Sequence, residues 1–169
     1  PLLCEKAARV IIETPWALQP LMVSLPGRYE WVVQGDPLPL SDVYCPIMSL
    51  PLAFRTDLSS IPAPFGYLRA PEDRVRLWRN RLGTGCNPRV GLAWRGSPNH
   101  SRDRQRSMPL IEMRSLLNLP FEFHALQNDI QDGDLELLKS IFIHDKSLSD
   151  FGDTAGLIAH MDLVISVDT

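Results

Sequence analysis

The sequence predicts an α/β fold in which a parallel β-sheet is flanked by helices. Short β-branched or apolar runs alternate with segments of helical spacing, above all in the second half of the chain. Strands that alternate with helices in this way are joined by crossovers, so neighbouring strands run parallel. The chain has 169 residues, 44% of them hydrophobic, which is enough for a substantial core.

The first half contains few regular elements among many turns, since most of its strand-like runs end at Pro or Gly and most of the fifteen prolines lie before residue 72. The predicted elements are strands at 9–13, 31–34 and 42–45, a helix at 16–25, and a turn-rich region at 46–64.

A helix is predicted at 72–82, because Pro71 precedes it, acidic residues occupy its first turn and arginines its last. Residues 83–88 have the composition of a linker and precede a new strand. We therefore expect one domain to end at residue 82 and a second to occupy 89–169, with 83–88 between them.

The second domain alternates strands and helices regularly, and the strands should form one parallel sheet. The predicted strands are 90–94, 122–126, 141–143 and 163–167, and the predicted helices are 109–119, 134–140 and 154–160.

A basic loop follows the first strand of this domain. Between residues 95 and 106 it contains four arginines against the single Asp103, a balance of +3, in a chain whose net charge is −3. Ligands bind at the carboxyl ends of parallel strands, and arginine suits phosphate oxygens. The loop therefore indicates a small anionic ligand such as a diphosphate; nucleic acid would need a broader basic face. The alternative is a solvated surface loop.

Other features of the sequence argue against membrane-spanning, secreted and metal-binding proteins. No apolar run reaches the roughly 18 residues that span a bilayer, and the start lacks the pattern of a signal peptide. The three cysteines form no Cys-x-x-Cys pair, which indicates reduced thiols in a cytoplasmic protein. Asp132 and Asp134 have metal-binding spacing but open a predicted helix, so no metal site is predicted.

Several segments together resemble one family, the glycosyltransferase-like domain at the end of many bacterial tetratricopeptide-repeat proteins. That domain is related to the ADP-heptose-using heptosyltransferases and distantly to O-linked N-acetylglucosamine transferases. In the predicted second domain of this chain, the resembling segments are Val-Gly-Leu-Ala-Trp-Arg-Gly-Ser-Pro-Asn-His (90–100), Arg-Gln-Arg-Ser-Met-Pro-Leu (104–110), Phe-His-Ala-Leu-Gln (123–127), Phe-Gly-Asp-Thr-Ala (151–155) and Asp-Leu-Val-Ile-Ser-Val-Asp-Thr (162–169). Those at 24–27, 35–39 and 45–54 are similar to its inter-domain region.

The resemblance implies two Rossmann-like domains of the GT-B type, both incomplete here, with the acceptor on the first and a nucleotide-sugar donor on the second. It implies metal-independent transfer of a sugar from a nucleotide-diphosphate donor to a protein or saccharide acceptor, with no cofactor. The early loop that supplies the usual candidate base in relatives is absent, as is the helix expected after residues 168–169. Without that helix, we expect apolar residues of the last strand to be exposed and self-association to be possible.

The resemblance also implies which residues contact the donor: the loop residues near the diphosphate, one residue near the nucleotide, and two at the donor-site turn. They are Asn99, His100, Arg102 and Arg106 in the loop, Gln127 after the second strand, and Asp168 and Thr169 at the turn. Each has a structural alternative, as a turn residue or a cap.

Two alternatives to a transferase remain: a non-catalytic scaffold attached to a repeat array, and a nucleotide-sugar epimerase on the same architecture. His124 alternates with apolar residues in a predicted strand and is interpreted as a core histidine.

Overall fold

The structure is a computed structural model that describes residues 2–62, 66–96, 103–127, 130, 136–144 and 147–168. The chain forms short helices and two parallel sheets, which confirms the predicted α/β class. In chain order the elements are α1 (Leu2–Lys6), β1 (Ile11–Thr14), α2 (Gln19–Met22), β2 (Glu30–Val33), α3 (Leu50–Ala53), α4 (Glu72–Leu82), β3 (Arg89–Ala93), α5 (Asp103–Arg106), α6 (Arg114–Leu117), β4 (Glu122–Ala125), β5 (Ile141–Phe142), α7 (Phe151–Ile158) and β6 (Leu163–Ser166). Within the described residues, 3-10 turns lie at Ile47–Ser49, Leu110–Met113 and Leu137–Ser140.

The larger sheet has the strand order β5-β4-β3-β6, and all its neighbouring strands are parallel. Counted along the chain from β3, this is the order 3-2-1-4 that begins a Rossmann-type sheet. The prediction of one parallel sheet in the second half is therefore confirmed. In the part of the chain that the structure describes, the smaller sheet consists of β1 and β2, again in parallel.

One face of the larger sheet carries the main core. Trp94, Leu92 and Leu110 are completely buried there, and the predicted helix at 109–119 lies over them as a 3-10 turn followed by α6. The remaining buried members of this core are Val90, Met113, Leu117, Phe123, Ala125 and Ile141.

Helices α4 and α7 pack together, and both contribute to a second core. Trp78 of α4 and Leu157 of α7 are completely buried and pack with Leu148. The helices approach closely at Gly156, where a Cβ would lie 2.9 Å from Cδ1 of Trp78 and 2.9 Å from Cβ of Arg74. The crossing is therefore built around a residue without a side chain.

An ionic network fixes the same two helices. The Asp150 side chain caps α7 by accepting from the Asp153 N–H, and the Ser149 hydroxyl donates to the buried Asp153 carboxylate. Arg74 of α4 lies 3.2 Å from Asp153 and 3.7 Å from Asp150. Helix α7 begins at residue 151, before the predicted 154, because this cap lies upstream.

Helix α4 is also tied to the larger sheet at its carboxyl end. The Arg89 guanidinium donates to the carbonyl oxygens of Leu82 (3.2 Å) and Gly83 (2.9 Å) and pairs with Glu122 (3.3 Å). The contacts of α4 thus extend across the predicted linker at 83–88, and the division into domains at that point stays a prediction.

Two predictions for the ends of the sheet and the loop-rich region have different outcomes. The predicted exposure of the last strand is confirmed in part: Leu163 is 53% exposed and Val164 is 41% exposed, whereas Ile165 and Val167 are partly buried. The strand predicted at 42–45 is wrong, because this segment pairs with no strand in the described chain. Its side chains are exposed instead, including Val43 and Tyr44.

The substitution Gly156→Ala should lower the free energy of unfolding by about 1–3 kcal/mol, because the added methyl group overpacks the α4–α7 crossing. Alanine in place of glycine in an open helix would instead stabilise it by roughly 0.5–1 kcal/mol. Urea denaturation measures the change, with Asn80→Ala on the exposed side of α4 as the control. A stabilised Gly156→Ala variant would contradict the close crossing.

Candidate anion-binding site

The candidate site lies where β3 and β6 end. The strand order reverses here, because β4 and then β5 add to one side of β3, whereas the next strand, β6, pairs with the other side. A crevice opens at such a switch point, outside the carboxyl ends of the strands, and ligands of open α/β sheets bind in it. Trp94, Arg95 and Gly96 follow β3 at this edge, and Asp168 follows β6.

Gln127 holds the end of β3 in place. Its side-chain oxygen accepts hydrogen bonds from the backbone N–H groups of Trp94 (2.8 Å) and Arg95 (3.0 Å). The amide oxygen therefore faces the backbone, and Gln127 lies directly beside the start of the basic loop. Its predicted contact with a nucleotide stays a prediction.

The other end of the basic loop folds back onto the same strand end. The Met108 N–H donates to the Trp94 carbonyl (2.8 Å). The Ser107 hydroxyl accepts from the Gly96 N–H (3.0 Å) and donates to the Asp103 carboxylate (2.8 Å). Helix α5 is thus packed against the residues that follow β3.

Two arginines at this edge have buried nitrogen atoms without partners. Among the described residues, the Nε atoms of Arg95 and Arg106 are buried and make no hydrogen bond. The Arg106 guanidinium lies over Gly96, since a Cβ there would be 3.3 Å from Arg106 Nη2. A buried charged donor without a hydrogen-bond partner raises the free energy of the folded state, and a bound anion that accepts from it would remove this penalty.

The structure brings together two of the predicted site residues, Arg106 and Gln127, around residues 94–96. Asp168 is exposed and follows Val167, whose N–H donates to the Ala93 carbonyl (2.9 Å) at the end of β3. The other four predicted residues, Asn99, His100, Arg102 and Thr169, lie outside the described residues.

Sequence reasoning missed Gly96 and Ser107, which join the loop to the strand. A glycine shortly after the end of a buried strand is a signal of close backbone approach and could have been noticed. The role of Ser107 has no such signal, because its partners are reached only through the fold.

A pair of stacked histidines lies beneath α4 on the opposite face of the sheet from the main core. His124 Nδ1 is 3.0 Å from His144 Nε2, and the two rings are nearly parallel. His124 also stacks on Phe142, and Trp78 meets His144 edge to face. The prediction that His124 is a core residue is confirmed, since it is 2% exposed.

Burial disfavours the charged form of both imidazoles. It lowers the pKa of His124 from 6.5 to about 4, helped by the neighbouring His144 and Arg89 and opposed by Glu122. Burial and the charge of Arg81 likewise lower the pKa of His144. Glu122 lies 3.9 Å from His124 Nε2, a nitrogen that makes no hydrogen bond within the described chain.

Neither a metal site nor a membrane span is found in the described ranges. No group of three or more His, Cys, Asp or Glu residues there is arranged to hold a metal ion. No helix among the same residues has the length and hydropathy needed to cross a bilayer. Comparison with known proteins gives no match: no family model, no curated protein and no solved structure matches this chain.

The free energy of unfolding should fall as the pH drops from 7 to 5. The unfolded chain, whose histidines titrate near 6.5, binds more protons in this range than the folded chain, where the pKa of His124 is about 4. Stability is thus fully present above the unfolded pKa, and at pH 5 the loss from His124 is on the order of 2 kcal/mol.

Urea denaturation at pH 7 and pH 5 measures this loss. It should shrink in His124→Phe and persist in His160→Gln, which alters a histidine that bonds the Val75 carbonyl instead. An equal loss in the wild type and in His124→Phe would show that the buried pair does not govern the pH dependence.

Proposed function

We propose that this chain is part of a glycosyltransferase that binds a nucleotide-diphosphate sugar and transfers the sugar, without a metal, to a protein or saccharide acceptor. The observation that carries the proposal is the pair of unpartnered buried Nε atoms of Arg95 and Arg106, at the switch point of a parallel sheet. The geometry supports the binding of a diphosphate, and the resemblance of segments such as 90–100 and 162–169 supports the reaction.

Arginines at this position suit the chemistry of sugar transfer. When the bond between the sugar and the diphosphate breaks, negative charge accumulates on the leaving diphosphate and must be stabilised. Guanidinium groups do this through charge-assisted, often bidentate hydrogen bonds to phosphate oxygens. Arg95 and Arg106 would supply those donors from the two ends of the basic loop.

The two halves of the chain would then have different tasks. Residues 89–169 would hold the donor at the carboxyl edge of the larger sheet, and residues 1–82 would belong to the acceptor side. No residue of this chain is proposed as the catalytic base, since in the resembling family that group lies in an earlier loop.

Changing Arg95 and Arg106 together to Ala should weaken the binding of nucleoside diphosphates by about 2–4 kcal/mol, because each arginine loses a charge-assisted hydrogen bond. Binding of the matching nucleosides should change little. Isothermal titration calorimetry with ADP, UDP and GDP, and with adenosine, uridine and guanosine, measures both.

The double variant Arg9→Ala, Arg28→Ala is the matched control, because it removes the same charge beside the smaller sheet. Equal losses for nucleoside and diphosphate would show that the two arginines do not contact phosphate. If the wild-type chain binds none of the diphosphates, the transferase proposal fails and the scaffold alternative replaces it.

A further inference from the structure

We propose that Ser107 is a positioning residue of the anion site, which holds Arg106 and the end of β3 in the geometry that receives two linked phosphate groups. This inference rests on the proposed function, since it concerns the same site. In this proposal Ser107 touches no ligand itself and acts through the groups to which it is hydrogen-bonded.

The Ser107 hydroxyl is bonded on both sides. It accepts from the Gly96 N–H at 3.0 Å and donates to Asp103 Oδ1 at 2.8 Å. Gly96 and Asp103 stand on either side of residues 97–102, so this one hydroxyl connects the two ends of the basic loop. The Ser107 N–H also donates to the Asp103 carbonyl at 2.8 Å, which fixes the serine relative to α5.

The hydrogen bonds of the Ser107 hydroxyl also influence where the Arg106 guanidinium lies. A Cβ on Gly96 would be 2.9 Å from Asp103 Oδ1 and 3.3 Å from Arg106 Nη2, so both side chains pack directly on the glycine. Pulling Gly96 away from Ser107 would therefore change the position of the guanidinium. The backbone N–H of Arg95 is held separately, by the side-chain oxygen of Gln127.

The bridging hydroxyl has a second, electrostatic effect. Asp103 is the single acidic side chain of the loop, and its carboxylate would otherwise be free to pair with Arg106. By donating a hydrogen bond to Oδ1, Ser107 gives one carboxylate oxygen of Asp103 a partner and holds the carboxylate against Gly96. The Arg106 Nε has no hydrogen-bond partner among the described residues, so its N–H stays available to donate to a phosphate oxygen.

The test compares Ser107→Ala, Ser107→Thr and Ser24→Ala in the full 169-residue chain. Ser24 is a matched control, since its hydroxyl also joins two backbone groups, accepting from the Arg69 N–H and donating to the Leu21 carbonyl, beside the smaller sheet. The probes are inorganic pyrophosphate and ADP, measured by calorimetry against adenosine.

Ser107→Ala should lower the affinity for pyrophosphate and ADP by about tenfold, since two hydrogen bonds that preorganise the site are lost. Affinity for adenosine should stay unchanged, and Ser107→Thr, which restores the hydroxyl, should recover most of the pyrophosphate affinity. Ser24→Ala should leave all three affinities unchanged. In Ser107→Ala the amide hydrogen of Gly96 should also exchange faster with solvent, which nuclear magnetic resonance detects without any ligand.

Different experimental results would overturn the positioning role of Ser107 and the proposed function. If wild-type chain binds pyrophosphate and Ser107→Ala binds it equally well, the positioning role is overturned and the proposed function stands. Unchanged exchange of the Gly96 amide in Ser107→Ala also overturns that role. If the wild type binds neither pyrophosphate nor ADP, the proposed function is overturned and this inference with it.

Discussion

The parallel pairing of β3 with strands on both of its sides is the constraint on which the rest of the structure depends. Pairing on both sides buries β3, so its side chains must suit two packed faces. On one face Leu92 and Trp94 are completely buried; on the other, Gly91 leaves room for Leu126, whose Cδ1 would lie 2.7 Å from a Cβ. The same pairing determines which loops meet at the carboxyl edge.

The arginines of the candidate site differ from Arg74 and Arg89, which pack against α7 and the larger sheet. Arg74 and Arg89 each meet one or more acidic partners inside the fold. At the carboxyl edge of β3, by contrast, Gln127 and Ser107 accept from backbone N–H groups, and the Nε atoms of Arg95 and Arg106 have no partner among the described residues. Local rules of stability are commonly broken where a protein binds a ligand.

The sequence was sufficient to predict elements that local patterns determine. Strands of the larger sheet are apolar runs bounded by turn residues, and α4 was predicted with its observed bounds because its proline, acids and arginines mark both ends. The strand at 42–45 failed because a strand needs a neighbour, and apolar alternation alone does not show whether one exists.

The candidate site was predicted only in part, for a related reason. Gln127 was named because the resemblance implies a nucleotide contact at the end of the second strand of this domain; the structure shows its bonds to the backbone of Trp94 and Arg95, and the nucleotide contact stays a prediction. Its two backbone bonds, the hydroxyl bridge from Ser107 to Gly96 and the contact of His124 with His144 all join residues that are distant in sequence. No periodicity or local composition reports such contacts.

The three bonds of Arg89 have a consequence for how the chain can be divided. This guanidinium connects the end of α4 to β4, and Trp78 of α4 is buried against α7. Helix α4 is therefore packed as part of the unit that contains the larger sheet. A fragment that begins at residue 89 would leave Leu148 and Leu157 without their covering helix and would tend to aggregate. A fragment built around the larger sheet therefore needs α4, and it also loses contacts of α7 if it omits the first part of the chain, since the Phe151 N–H donates to the Ala17 carbonyl (2.9 Å).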